Sequence, residues 1–124
     1  MFKIGIIRES RTDDKRTPLV PKNVKSLLNK FNNTKIIVQP SETRCFSNDE
    51  YEKESAIIDE NLSECDIILG VKEIEPNRLI PNKTYIFYCI EWAFFNFKYE
   101  INTFSVKLYN LRYNCCCKST LCFV

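Results

Sequence analysis

Two adjacent ionisable residues, Lys72 and Glu73, follow an apolar run of the length of a buried strand. Four apolar residues and one glycine, without a polar interruption, predict a strand covered on both faces, as in a parallel sheet. In such sheets, ligands bind beyond the carboxyl ends of the strands. A desolvated lysine at such an end can have a lowered pKa, polarise a carbonyl or carry a proton. Lys72 is therefore the best catalytic candidate, and Glu73 is better suited to orienting Lys72 or its loop.

Lys72 also has a simpler explanation. The ammonium of a lysine at a strand end can reach solvent through its flexible stem, without any chemistry. From spacing alone, this alternative is the favoured one.

Arg16 is the second candidate, in the charged loop that follows the first predicted strand. In a parallel sheet this loop can open on the same edge as Lys72, and an arginine there can hold a carboxylate by paired hydrogen bonds. The alternative is a surface arginine clustered with Arg8, Arg11 and Lys15.

Other charged residues stand near predicted strand ends. Arg8 and Glu9 are adjacent and suggest an ion pair that shapes the pocket. Arg44, in the loop after the second predicted strand, is a weaker third basic candidate.

Strands that alternate with helices must position these residues. The alternation predicts an α/β fold with right-handed βαβ units and a mainly parallel sheet of four or five strands with flanking helices. The predicted elements are a strand at 3–7, a helix after Pro21 that ends at 32–33, a strand at 35–39, a short helix at 49–53 capped by Ser47 or Asn48, strands at 67–71 and 84–88, and a further strand-like run at 103–111.

Composition excludes several classes of protein. The net charge of +2 favours no nucleic-acid partner, and no apolar run has the length of a membrane helix. Without a visible signal peptide, the cytoplasm is the expected location. Only two glycines are present, so neither a Gly-x-Gly-x-x-Gly motif nor a Walker loop can be written. The seven cysteines lack zinc-site spacing and there is no histidine, so we expect no metal site.

With these residues placed, the order of motifs resembles a known family. It is similar to the N-terminal domain of alanine dehydrogenase and pyridine nucleotide transhydrogenase, nearest the saccharopine dehydrogenase (lysine–ketoglutarate reductase) branch. The resemblance covers about residues 3–88. The matching segments are Ile4–Glu9, Lys15–Pro21, Val38–Ser41, Arg44, Asp49–Tyr51, Cys65–Glu73 and Pro81–Tyr85.

The resemblance implies an NAD(P)-dependent oxidoreductase that acts on an amino acid or its 2-oxo-acid and imine partner. It implies that Arg16 binds a substrate carboxylate and that Lys72 contacts the substrate carbonyl or acts as acid–base group. Glu73 is expected to take part in substrate binding with them. Family members carry a second catalytic histidine after the last matching strand, and Ile90 stands about there in this chain. The nucleotide-binding domain of the family has no counterpart here.

Composition changes near the point where the resemblance ends. Residues 92–124 hold nine of the 16 aromatic residues, and residues 115–122 hold four of the seven cysteines. We therefore expect a substrate domain at 1–88 and a non-homologous tail at 89–124 produced by a frameshift or premature end.

Such a chain is expected to bind no cofactor and to be inactive alone. Its partners would be an amino acid or 2-oxo acid, and a separate nucleotide-binding domain or further copies of itself. A subunit of a split dehydrogenase or transhydrogenase, and a non-catalytic carboxylate-binding module, are the alternatives.

Overall fold

The computed structural model describes residues 1–72, 74–89 and 107–110. The elements alternate between strand and helix in its first half, as the sequence predicts. In chain order they are β1 (Phe2–Ile6), α1 (Pro21–Lys30), β2 (Thr34–Val38), α2 (Asn48–Lys53), β3 (Ile57–Ile58), β4 (Ile67–Lys72), a 3₁₀-helix (Pro76–Arg78), β5 (Thr84–Cys89) and β6 (Lys107–Asn110).

The strands form one six-stranded sheet in the order β3-β2-β1-β4-β5-β6. Every neighbouring pair is parallel, so the predicted α/β fold with a mainly parallel sheet is confirmed. Five strands end at or before residue 89, and β6 falls in the strand-like run predicted at 103–111. In the part of the chain that the structure describes, no helix has the length and apolar character needed to cross a membrane.

Both helices begin where local chemistry favours it. Pro21 opens α1, where a missing N–H costs nothing, and the N–H of Phe31 closes the helix on the carbonyl of Leu27 at 2.9 Å. Ser47 caps α2: its hydroxyl accepts from the Glu50 N–H, and its own N–H donates to the Glu50 carboxylate. This reciprocal pair is the capping box, which confirms the predicted helix start.

The two faces of the sheet carry separate apolar clusters. The two helices cover one face, with Val24 of α1 and Tyr51 of α2 fully buried against Ile6 and Val38. Among the described residues, the cluster on the other face takes none from a helix; its buried members are Ile7, Ile37, Leu62, Cys65, Ile68, Ile74, Tyr85 and Phe87. The central strands are thus packed on both sides, which suits a parallel sheet.

Gly70 of β4 is required by close packing. A Cβ placed there would lie 2.8 Å from the Phe87 ring and 3.0 Å from Cγ2 of Ile7. Because neither neighbour is the end of a flexible chain, any larger residue would push β5 away from β4.

The strand order reverses direction at β1. From β1 the chain first builds outward through β2 and β3, then returns to place β4, β5 and β6 on the other side. The loops after β1 and β4 therefore leave the sheet in diverging directions at their carboxyl ends. Ligands of open parallel sheets bind at such a switch point.

Candidate functional site

Lys72 is the last residue of β4 and is half-buried. It stands in register with Cys89, the last residue of β5, at the carboxyl edge of the sheet. The predicted position of Lys72 at the end of a buried strand is therefore confirmed, while its catalytic role stays a prediction. Glu73 and Ile90 lie outside the described residues.

Glu9 joins the end of β1 to the end of β4. Its carboxylate accepts the N–H of Val71 at 2.8 Å and the N–H of Lys72 at 3.1 Å. The ladder between the two strands ends with the Ile7 N–H on the Leu69 carbonyl, so these next amides need another acceptor. A side chain from the loop after β1 therefore continues the pairing where the backbone stops.

The predicted ion pair between Arg8 and Glu9 is wrong. Arg8 instead donates two hydrogen bonds to the Glu60 carboxylate, at 2.5 and 2.7 Å, and one to the Pro40 carbonyl at 3.2 Å. The two adjacent side chains point to different parts of the sheet because each has a partner there. Arg8 binds the Glu60 carboxylate, and Glu9 binds the N–H groups of Val71 and Lys72.

Arg16 forms a forked ion pair with Asp14. Its Nε and Nη2 donate to the two carboxylate oxygens at 2.9 and 2.6 Å. The Asp14 side chain is 8% exposed and the Arg16 side chain 40%, so the pair is partly withdrawn from water. The bond to Arg16 lowers the pKa of Asp14 below its usual value. Arg11 pairs separately with Asp13, at 2.7 Å.

Electrostatics connect Glu9 with the pair of Asp14 and Arg16. Burial raises the pKa of Glu9, and the hydrogen bonds from Val71 and Lys72 oppose that rise. The charge of Asp14 raises the same pKa further, and the charge of Arg16 lowers it. Glu9 is therefore in direct contact with the Lys72 backbone and within the electrostatic range of Arg16.

A second contact ties the same two segments together. Nη1 of Arg78, which ends the 3₁₀-helix after β4, donates to the Ser10 hydroxyl at 2.7 Å. Sequence reasoning missed this contact, the backbone bonds of Glu9 and the partner of Arg16. Only the last had a usable signal, because an acid two positions before an arginine in a turn can close a local pair.

Arg44 serves the loop after β2. Its guanidinium donates to the carbonyls of Gln39 and Phe46 and to Oδ1 of Asn48, and it lies 4.6 Å from the Tyr51 ring centre. Burial lowers the pKa of Arg44. These contacts give it a structural task, since they hold the loop in one shape.

A polar cavity of about 480 Å³ opens between the loops after β1 and β2. Residues 8–12, 40–43 and Asn48 line it, and neither Arg16 nor Lys72 is among them. Among the residues that the structure describes, no three His, Cys, Asp or Glu side chains converge in a way that could hold a metal ion.

The loop after β1 does not fit a dinucleotide. A pyrophosphate needs a glycine turn that leads directly into a helix N-terminus. Here residues 7–20 contain no glycine, α1 begins only at Pro21, and the Glu9 carboxylate stands at the switch point. These residues therefore offer NAD(P) no phosphate site.

Comparison with known proteins places the chain in a family. The profile of "Alanine dehydrogenase/PNT, N-terminal domain" matches residues 5–96. The chain is 40% identical over 75 residues to "Alpha-aminoadipic semialdehyde synthase, mitochondrial" of Bos taurus, which covers 60% of this chain and 8% of that protein. It is 33% identical over 90 residues to "Alpha-aminoadipic semialdehyde synthase" of Arabidopsis thaliana. That match covers 68% of this chain and 8% of the Arabidopsis thaliana protein. The chain thus spans about 8% of the length of these relatives.

Solved structures agree on the fold. An L-alanine dehydrogenase superimposes with a TM-score of 0.62 at 17% identity, over 74% of this chain and 27% of the other. The transhydrogenase from Sinorhizobium meliloti gives 0.60 at 19% identity, over 70% and 28%. The expected proximity to the saccharopine dehydrogenase branch is confirmed by the semialdehyde synthase relatives. The chain belongs to the alanine dehydrogenase/PNT N-terminal domain family, on the saccharopine dehydrogenase side of it.

Proposed function

We propose that this domain binds the substrate of an NAD(P)-dependent oxidoreductase that acts on an amino acid or its 2-oxo-acid and imine partner. The observation that carries the proposal is the position of Glu9, which contacts the Lys72 backbone and lies in the same loop as Arg16. One ligand at the switch point could then meet both cations.

In this proposal Arg16 binds the substrate carboxylate. Asp14 occupies the Nε and Nη2 side of the guanidinium, which is one of the faces a carboxylate would use. The substrate carboxylate would share these donors with Asp14 or take its place. Before the substrate binds, Asp14 sets the direction in which Arg16 presents its donors.

Lys72 would contact the oxygen or nitrogen atom bonded to the reacting carbon of the substrate. As an ammonium it donates a hydrogen bond to the carbonyl oxygen, and as a neutral amine it can take a proton from the substrate nitrogen. Glu73, the next residue in the sequence, is proposed to orient Lys72 and the substrate. NAD(P) would supply or accept the hydride from a separate nucleotide-binding domain or polypeptide, so the chain alone would be inactive.

Calorimetry with 2-oxo acids tests the proposal. We expect 2-oxoglutarate or pyruvate to bind the full chain, and Lys72→Met to weaken that binding about tenfold through the lost charged hydrogen bond. Lys83→Met is the matched control, because Lys83 lies at the opposite end of the sheet, just before β5. Failure of every oxo acid and amino acid to bind would refute the proposal.

The proposed inactivity has its own test. NADH or NADPH oxidation by the purified chain with oxo acid and ammonia or lysine is expected to be absent. Measurable turnover would contradict the need for a separate nucleotide domain. The non-catalytic alternative would show binding but no turnover even with such a domain added.

We propose the cytoplasm as the compartment; the word "mitochondrial" belongs to the name of the Bos taurus relative.

A further inference from the structure

The contact between Glu9 and the end of β4 crosses the point where the sheet changes direction. Both oxygens are used: Oε1 accepts from Val71 and Oε2 from Lys72. The two residues are separated from Glu9 by more than 60 positions, so the contact belongs to the tertiary fold. It fixes the backbone of Lys72 to the loop that also carries Arg16.

The need for an acceptor follows from where the strands end. β1 and β4 pair as far as Ile6 and Leu69, and the Ile7 N–H closes the ladder. Beyond it, Glu9 accepts the N–H groups of Val71 and Lys72, and the loss of an acceptor by a buried N–H is costly in a folded protein. A carboxylate can satisfy two N–H groups at once, whereas an amide side chain presents one acceptor and one donor.

Glu9 is poorly placed to carry a proton itself. A carboxylate whose two oxygens both accept N–H groups would lose one of these bonds on protonation. Its geometry instead suits an anchor that holds the Lys72 backbone beside the loop that carries Arg16. The adjacent bond from Arg78 to Ser10 ties the same loop to the segment after β4 a second time.

We propose that Glu9 is a positioning residue that sets the separation of Lys72 and Arg16, so that one 2-oxo acid can engage both. This inference rests on the proposed function of these two cations. Glu9 touches no substrate in it, and acts by holding the Lys72 backbone. The contact between Lys72 and the substrate carbonyl therefore depends on Glu9 more than the contact between Arg16 and the substrate carboxylate does.

The chain offers a matched control in Asp66. Its exposed carboxylate accepts the Lys3 N–H at 2.8 Å, so it closes the opposite end of the same strand pair. Glu9→Gln and Asp66→Asn make the same chemical change, from carboxylate to amide, at the two ends. Only the first should affect ligand recognition.

Two measurements on the full chain decide the matter. The first is amide hydrogen exchange by NMR, in which Glu9→Gln should remove protection at Val71 and Lys72 and leave the middle of β4 protected. The second is calorimetry with matched ligand pairs, 2-oxoglutarate against glutarate and pyruvate against propionate. Each pair differs only in the keto oxygen.

We expect Glu9→Gln to reduce the preference for the oxo acid about tenfold, and to change the affinity for the plain acid less than about twofold. Asp66→Asn should leave both values as in the wild type. A merely structural loss would lower both affinities together, so the preference separates the two roles.

Each other outcome is decisive. Unchanged exchange at Val71 and Lys72 in Glu9→Gln would overturn the inference, and so would lost protection with the oxo-acid preference intact. Equal loss of both affinities would reduce Glu9 to a structural role. If the wild-type chain shows no preference, the proposed function of Lys72 fails and the positioning role with it, while hydrogen exchange still shows whether Glu9 holds the strand end.

Discussion

Carboxylates close both ends of the β1–β4 strand pair, but in different surroundings. At the amino end Asp66 accepts the Lys3 N–H and is exposed, beside an ion pair between Lys3 and Glu64. At the carboxyl end Glu9 accepts two N–H groups and is half-buried. A carboxylate therefore accepts backbone N–H groups at both ends, in contact with water at the amino end and half-buried among charged residues at the carboxyl end.

The surfaces around the two ends differ as well. The amino end borders an apolar groove of about 650 Å³, lined by Phe2, Ile4, Leu27, Phe31 and residues 32–34. The carboxyl end borders a polar cavity and the partly buried pair of Asp14 and Arg16. Partly buried charges often cluster at functional sites, so the difference supports the proposed binding site at the carboxyl end.

The largest effect on stability is expected from Glu9→Ala. It removes the carboxylate that accepts the N–H groups of Val71 and Lys72, so the free energy of unfolding should fall by about 3 kcal/mol. Asp66→Ala, at the exposed end, should lower it by less than about 1 kcal/mol. Urea unfolding followed by circular dichroism measures both, and equal losses would contradict the contrast between the two ends.

Gly70→Ala should come next, at about 2 kcal/mol, because the new Cβ would meet the Phe87 ring at 2.8 Å. Gly5→Ala, in β1, is the control. There the nearest atom is the Cys65 Sγ at 3.1 Å, so a shift of a few tenths of an ångström suffices. We expect a loss below about 1 kcal/mol for it in the same unfolding experiment. Reversal of this order would show that β4 and β5 adjust more easily than their packing indicates.

Arg16→Ala compares two ion pairs within one loop. It strands the buried Asp14 carboxylate and should cost about 1 kcal/mol of unfolding free energy. Arg11→Ala breaks the pair with Asp13, in which both side chains are at least 67% exposed, and should have a smaller effect that is hard to detect. Thermal or urea unfolding at low and high salt distinguishes them, since only the exposed pair is strongly screened. Matching losses would contradict the burial difference.

The smallest effects concern pH and have opposite signs. Arg16 lowers the pKa of Asp14, so the stability from that carboxylate is present above 3.8 and is lost as the pH falls below it. Burial raises the pKa of Glu9, so its contribution is full below 4.5 and declines as the pH rises through the folded value. Unfolding midpoints between about pH 3 and pH 7 measure this.

Two variants show which carboxylate causes each slope of stability against pH. Asp14→Asn should flatten the acid side of the profile, and Glu9→Gln should flatten the side that descends toward neutral pH. A profile that the two variants alter in the same direction would mean that the two carboxylates titrate as one unit.

The fold was largely predictable because its signals are local. The i, i+3, i+4 spacing of Val24, Leu27 and Leu28 marks α1, and the uninterrupted run before Lys72 marks a central parallel strand. Ser47 and Glu50 stand at the separation of a capping box. Each pattern is contained in fewer than about ten residues, so no knowledge of the tertiary fold is needed.

The site was less predictable because its bonds are long-range. Glu9 and Val71 are 62 positions apart, and no pattern near either residue indicates that a side chain will replace a strand partner. The same limit explains the wrong pairing of Arg8 with Glu9. Adjacent opposite charges suggest a local bond, but each side chain had a better partner across the sheet in Glu60 and β4.

The central position of β1 has a consequence for synthesis. β1 is made first, yet its second neighbour β4 begins only at Ile67, and the bond between Lys3 and Asp66 spans 63 positions. A ribosome adding about 5–20 residues per second needs roughly 3 to 13 seconds to cover that distance. During that interval one side of β1 has no strand partner. An unpaired strand edge can form hydrogen bonds with another chain and cause aggregation. The nascent domain is therefore most prone to misassociate before its own middle is complete.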